Sequence, residues 1–223
     1  MALPAHILDR LPAQLRRNSL IRDASSLLGD RADAPEALPE QLLQGELLPG
    51  AVVEFSLDGL GGFGTSLALA AVRRVQSEGR LAAFIDPSAS LHAPGVVRAG
   101  VELSRLIVVE PSLEALGRVA VRMAESRLFG VVVIDTLGSP SMPFEIPGGA
   151  WTRVVRRLAL AVEQTENSVL LLTDRSMPRA LPLPVKRRIE ISRVGKKQLV
   201  ARIVRDRQGR MTGPLPVDLP HVA

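Results

Sequence analysis

The four consecutive apolar residues Val131-Val-Val-Ile134 constrain the fold more than any other stretch of this chain. A strand with one wet face alternates apolar and polar residues. A strand apolar on both faces must be covered on both, as in a parallel sheet flanked by helices. Val169–Leu172 repeats the pattern, and Leu81–Ile85 and Leu106–Val109 read as further strands. Between these runs the spacing changes to a helical one. Ser66–Ser77 carries apolar residues at helical intervals and Gly79 is a plausible stop. Ser112–Arg127 opens with Ser112 as an N-cap and Glu114 in the first turn, where the helix dipole favours a carboxylate. Trp151, Val154, Val155, Leu158 and Val162 form one face of a third helix, and Arg153, Arg156 and Arg157 its other face. With Ala51–Ser56 as the first strand, strands and helices alternate. That predicts βαβ units and an α/β fold with a mostly parallel central sheet.

The two ends depart from this pattern. Residues 1–40 are expected to form an N-terminal helical segment and linker, with Leu8, Leu11 and Leu15 at helical spacing and a Pro- and charge-rich stretch from Asp30. Residues 41–205 form the core. From Lys186 onward Ile189 and Ile191 alternate with charged residues, Val194-Gly-Lys-Lys197 supplies a turn, and Leu199–Val204 returns. An antiparallel basic hairpin appended to the sheet is expected there. The tail, residues 206–223, is Pro-rich and suits an extended docking strip better than a helix.

Charge follows the same division. Arg175–Arg210 holds 12 Lys/Arg against 2 Asp/Glu, a net +10, while the rest holds 16 against 21, a net −5. Lys186, Arg187, Arg188, Arg193, Lys196, Lys197, Arg202, Arg205 and Arg207 are the candidate basic patch, facing a polyanion or an acidic partner. The absence of cysteine removes disulfides, thiolate metal sites and cysteine nucleophiles together. His6, His92 and His221 are far apart with no carboxylates gathered round them, so no metal site is expected. No apolar stretch approaches the roughly 18 residues of a membrane helix, and the expected location is cytoplasmic.

The stretch richest in chemistry is Gly59-Leu-Gly-Gly-Phe-Gly64-Thr65-Ser66. It follows a strand and precedes a helix, the setting in which G-x-x-x-x-G-K-[ST] cradles phosphates. Glycines let successive backbone N–H groups converge on an anion, and the helix N-terminus adds partial positive charge. Gly59, Gly64 and Ser66 match this pattern, but Thr65 stands where the lysine belongs. A threonine offers a neutral hydroxyl and no cation for the β- and γ-phosphates. A hydrophobic strand ending in a carboxylate, Phe129-Gly-Val-Val-Val-Ile-Asp135, is the expected companion, with Asp135 placed for a water-bridged Mg²⁺ contact. Asp86 also ends a strand, but in sequence it has no partner acid at useful spacing.

Over roughly Leu8 to Val204 the chain resembles RecA. The order Leu48-Pro-Gly-Ala-Val-Val-Glu-Phe, the Gly-rich loop, Gly79-Arg-Leu-Ala-Ala-Phe-Ile-Asp86, Gly100-Val-Glu-Leu-Ser-Arg-Leu-Ile-Val-Val and Val131-Val-Val-Ile-Asp135 recurs at that family's spacing. The resemblance implies a RecA-like P-loop core. It also implies a protomer-docking segment over Gln14–Arg22, with Leu15, Ser19, Leu20, Ile21 and Arg22 as contact candidates. The departures concern catalysis. The family's catalytic glutamate position is Ser88, the γ-phosphate-sensing glutamine falls near Arg175, and the two DNA-binding loops, around Pro140–Gly149 and Met177–Pro184, are shortened or replaced by Pro-rich segments. Gly59, Gly64, Thr65, Ser66, Ser88 and Asp135 are thus a vestigial nucleotide site. No ATP hydrolysis, no catalytic residue and no cofactor are expected.

A RecA-like chain of this length with an eroded site and a basic C-terminal hairpin is similar to the ImuA family of accessory proteins in inducible translesion mutagenesis. That resemblance implies binding to RecA, to the Y-family polymerase-like ImuB and to an error-prone replicative-type polymerase. It makes Arg210, Leu215, Val217 and Leu219 in the tail the ImuB-docking candidates. Three other readings use the same residues. One is weak, salt-sensitive DNA binding by the basic patch. Another is a divergent ATPase in which Lys186 or Arg175 reaches the phosphates from elsewhere. The third is a cell-division inhibitor similar to SulA.

Overall fold

A computed structural model describes residues 21–23, 49–58, 63–137, 148–175, 183–194, 198–207 and 215–218. Its centre is a sheet of nine strands. In chain order they are β1 (Ile21–Asp23), β2 (Ala51–Leu57), β3 (Leu81–Ile85), β4 (Leu106–Val109), β5 (Phe129–Asp135), β6 (Ser168–Asp174), β7 (Arg187–Val194), β8 (Gln198–Asp206) and β9 (Leu215–Asp218). In space the order is β1-β4-β3-β5-β6-β2-β7-β8-β9. The six strands from β4 to β7 run parallel, while β1, β8 and β9 pair antiparallel with their neighbours. The expected parallel sheet and its antiparallel hairpin are both present.

Among the described residues four helices cover it: α1 (Phe63–Ser77), α2 (Ala93–Arg98), α3 (Leu113–Glu125) and α4 (Gly148–Val162). The chain leaves β2 for β3 and then β4 through α1 and α2 on one face. It returns to β5 and β6 through α3 and α4 on the other, as right-handed crossovers require. Strand alternation divides the core accordingly. Ala82 and Phe84 pack with α1, whereas Ala83 and Ile85 pack with α3 and α4. β5 is buried along its whole length, as its uninterrupted apolar run predicts. Ser112 caps α3 as expected, accepting a hydrogen bond from the Ala115 N–H.

The N-terminal expectation needs correction, and the tail is extended as expected. Within the supposed N-terminal helical region, Ile21–Asp23 is a strand whose register is Ile21 opposite Val109 and Asp23 opposite Ile107. Unsatisfied ladder groups on β4 outweigh the local helical pattern there. Within the tail, Leu215–Asp218 is β9, paired with Ala201–Gln198. Pro216, which has no N–H to donate, is tolerated because β9 is an outermost strand. The remaining residues of 1–20 and 208–214 lie outside the described residues. The short helix α2 was not anticipated, although Pro94 in its first turn is a helix-start signal.

At the amino end of the sheet, Arg80 donates from Nη1 to the Glu166 carbonyl (2.9 Å) and from Nη2 to Asn167 Oδ1 (2.6 Å). This ties the α1–β3 turn to the start of β6. The guanidinium passes over Gly130, where a β-carbon would lie 3.0 Å from Arg80 Cζ and would collide with Val75 Cγ1. Gly130→Ala is therefore expected to cost roughly 1–3 kcal/mol in urea unfolding, with part of the loss recovered by adding Val75→Ala.

Candidate functional site

The carboxyl ends of β2 and β5 meet the N-terminus of α1, at the edge where parallel sheets place their ligand sites. Phe63 and Gly64 open α1 directly after the glycine-rich turn. Gly59 and residues 60–62 lie outside the described residues. Gly64 is buried, and a β-carbon on it would sit 2.5 Å from Leu57 Cδ1 and 3.0 Å from Leu137 Cδ1. Packing alone thus demands glycine here, because the first turn of α1 is pressed onto the ends of β2 and β5. Thr65 and Ser66 follow, both half-buried.

Asp135 ends β5 and is 3% exposed. Its Oδ1 accepts the Leu137 N–H at 2.9 Å. Burial pushes its carboxyl up to about 6. The Leu137 hydrogen bond offsets this in part, and the charge of Asp86 adds to it. Asp86 is a neighbour because β3 and β5 run in register, with Ile85 opposite Ile134, so the next residue of each strand is an aspartate. This corrects the reading of Asp86 as an acid without a partner: the partner lies across the sheet, not along the chain. The signal was present as the same Ile-Asp ending on two strands.

Asp86 is 1% exposed and well satisfied. Its Oδ1 accepts the Ser88 N–H (3.2 Å), the Ser88 hydroxyl (2.7 Å) and the Ser90 hydroxyl (3.4 Å), and its Oδ2 accepts the Leu91 N–H (2.7 Å). Ser88, at the expected glutamate position, has its hydroxyl turned inward on Asp86 and linked to Ser90 at 2.9 Å. The site holds two neighbouring buried carboxylates, the oxygens of Asp86 being taken up by donors of its own turn. At the lysine position of the loop stands Thr65, a neutral hydroxyl.

Among the described residues the basic candidates do not form one patch. Arg187 is buried and bridges Asp206 at 2.8 Å, the carboxylate being fully enclosed. Arg188 bridges Glu54 at 2.7 Å, and Glu54 also accepts the Thr173 hydroxyl at 2.8 Å. Both arginines serve the core; neither faces a polyanion. Lys186 lies at the other end of the sheet from the glycine-rich turn, since its N–H bonds the Val52 carbonyl and Arg207 N–H bonds its own carbonyl. Val52 and Leu57 are five residue steps apart along β2, about 17 Å at roughly 3.3 Å per step, beyond the reach of a lysine. Lys186 is thereby excluded as a substitute for the missing cation. Arg175 does lie at the loop end, with its N–H on the Leu57 carbonyl, and its guanidinium is 3.6 Å from Glu190. Arg202 is exposed, and Arg205 donates to the Leu183 carbonyl at 2.7 Å. Lys196 and Lys197 lie outside the described residues.

One contact at the site was not foreseen. Arg193, near the end of β7, stacks its guanidinium 5.2 Å from the centre of the Phe63 ring. The parallel pairing of β7 with β2 carries it past Leu57 to the start of α1. Of the docking candidates, Ile21 and Arg22 belong to β1, and Leu215 and Val217 to β9. Leu15, Ser19, Leu20, Arg210 and Leu219 lie outside the described residues.

Two measurements follow. Because Asp135 holds its proton more tightly when folded, its stabilising contribution is complete below about pH 4 and fades as pH rises through about 6. Asp135→Asn, which keeps the Leu137 bond, is expected to be about 1–3 kcal/mol more stable than the parent at pH 8. The two should converge near pH 4 in urea titrations. Arg188→Ala leaves Glu54 buried without its cation and is expected to cost about 3 kcal/mol, whereas the exposed Arg202→Ala stays within about 0.5 kcal/mol.

No family model matches the chain. Protein RecA of Crocosphaera subtropica (strain ATCC 51142 / BH68) is 28% identical over 145 residues, 64% of this chain and 41% of the relative. The chain thus spans about two fifths of the length of that curated relative. Among solved structures the RadB recombinase superposes with a TM-score of 0.60 at 18% identity, covering 79% of this chain and 90% of the other. The fold is therefore that of RecA/RadB-like recombinases.

Proposed function

We propose that this RecA-like chain is a non-hydrolysing accessory protein of translesion DNA synthesis, similar to ImuA. In this reading it binds RecA and the polymerase-like ImuB and acts by occupying surfaces. The observation that carries the reading is at Ser88. In an ATPase of this type a carboxylate there activates the attacking water. Here a short hydroxyl stands in its place and is spent on Asp86. The loop independently lacks its cation at Thr65. Losing oriented charge at even one such position typically costs 10²–10³ in rate, and two losses compound.

Asp135 and Asp86 persist in this reading for structural reasons, shaping the turns after β5 and β3. RecA-type protomers associate head to tail, a contact that propagates only if both faces function. A subunit with one working face ends or modulates a filament. Docking through Leu15–Arg22 has a built-in cost, because β1 is already paired with β4 of its own sheet and must leave that edge first. Among the described residues no helix is long and apolar enough to cross a membrane.

The test is a hydrolysis assay on purified chain, with and without single-stranded DNA, beside pull-downs with RecA and ImuB. The expected outcome is no turnover above the protein-free blank and retention of both partners. ImuB retention should fall when the chain is cut after Arg207, which removes β9. Turnover abolished by Ser66→Ala or Asp135→Asn would refute the proposal.

A further inference from the structure

The helix layer formed by α3 and α4 carries a surface that the nucleotide edge does not use. The two helices lie against each other at Gly117, where a β-carbon would stand 2.8 Å from Val154 Cγ2 and 3.4 Å from Trp151 Cζ3. This close approach merges their outer faces. That surface exposes Arg118 and Arg122 from α3 and Arg153, Arg156 and Arg157 from α4. Every charged residue of α4 is an arginine. Glu125 ties the helices together, 3.5 Å from Arg122 and 3.4 Å from Arg157. Arg118, Arg153 and Arg156 make no ion pair among the described residues.

Beside the arginines stands an aliphatic side chain in water. Leu160, one turn beyond Arg156 and Arg157, is 68% exposed, and Leu113 at the start of α3 is 49% exposed. From these observations we infer that the α3/α4 surface is a docking site for an acidic, leucine-bearing segment of a partner protein. Arginine forks match carboxylates in pairs of hydrogen bonds. Interfaces of this kind combine an apolar anchor with a charged rim. A nucleic-acid backbone fits less well. Phosphates gain nothing from covering Leu160. The inference stands apart from the proposed function, since it holds whether or not nucleotide is hydrolysed and whichever assembly the chain joins.

The probe is a fluorescein-labelled 18-residue peptide of glutamate and leucine, with leucines at helical spacing. A glutamate–alanine peptide and labelled (dT)20 serve as comparisons. Binding to the full chain is read by anisotropy, and shift changes in isotope-labelled chain locate the contact. The leucine peptide is expected to perturb α3 and α4, and to bind about tenfold more tightly than the alanine peptide. Leu160→Ala should weaken it about tenfold, and Arg153→Glu with Arg156→Glu at least as much, while Arg202→Glu leaves it unchanged. The inference is overturned if shifts map to the β7–β8 hairpin, or if the α4 variants bind like the parent. It is equally overturned if (dT)20 competes for the same residues, or if the peptide releases a self-associated dimer held by this face. The shift map is made on the parent chain, so it decides even where a variant folds poorly.

Discussion

Covering a parallel sheet on both faces leaves one place where polar chemistry can be assembled, the carboxyl edge of the strands. In this chain everything else follows from that cover. The four helices bury β3, β5 and β6 so fully that their strand ends arrive together. Two of them thereby bring Asp86 and Asp135 side by side. The raised carboxyl of Asp135 is a consequence of that depth first and of its neighbour second. A buried carboxyl group whose proton affinity is raised, lying next to another acid, carries a cost in stability. It is cheapest to retain when its acceptor bond, here to the Leu137 N–H, holds the following turn.

The second organising force is the internal pairing of charge where the sheet outgrows its helices. Beyond β2 the sheet continues into β7 and β8, and Glu54, Arg187, Arg188 and Asp206 are enclosed there. Isolated, any of these would be costly to bury; as pairs they fix the register of the hairpin on the parallel sheet. A chain that reads as strongly basic over Arg175–Arg210 therefore presents less positive charge than its composition suggests, and spreads it over two ends of a hairpin. Arg193 spends its cation on the face of Phe63, linking the far end of β7 to the first residue of α1.

Much of this was legible in the sequence. The apolar runs at Leu81–Ile85 and Leu106–Val109 mark strands whose bounds match the structure, and Ser112 marks a helix start, because burial and capping act locally. The glycine-rich turn and Asp135 were likewise visible as residues. What they become depended on register. The meeting of Asp86 with Asp135 is a relation between strands about 50 residues apart, and sequence spacing along one strand cannot express it. The same holds for Arg187 and Arg188, which read as surface cations because their partners lie across β8 and β2. β1 and β9 were missed because three- and four-residue strands owe their form to the ladder they join, not to their own propensity.

Those two outer strips have a consequence for how the molecule meets its surroundings. Residues 21–23 and 215–218 act as selvedges on a woven cloth, each closing a row of backbone groups that would otherwise continue the weave. Pro216 leaves the last row one thread short, so another sheet finds a poor seam. Peeling away either strip, by cleavage or by a tag that draws it off, would expose β4 or β8 as raw cloth. The chain would then be prone to knit with itself.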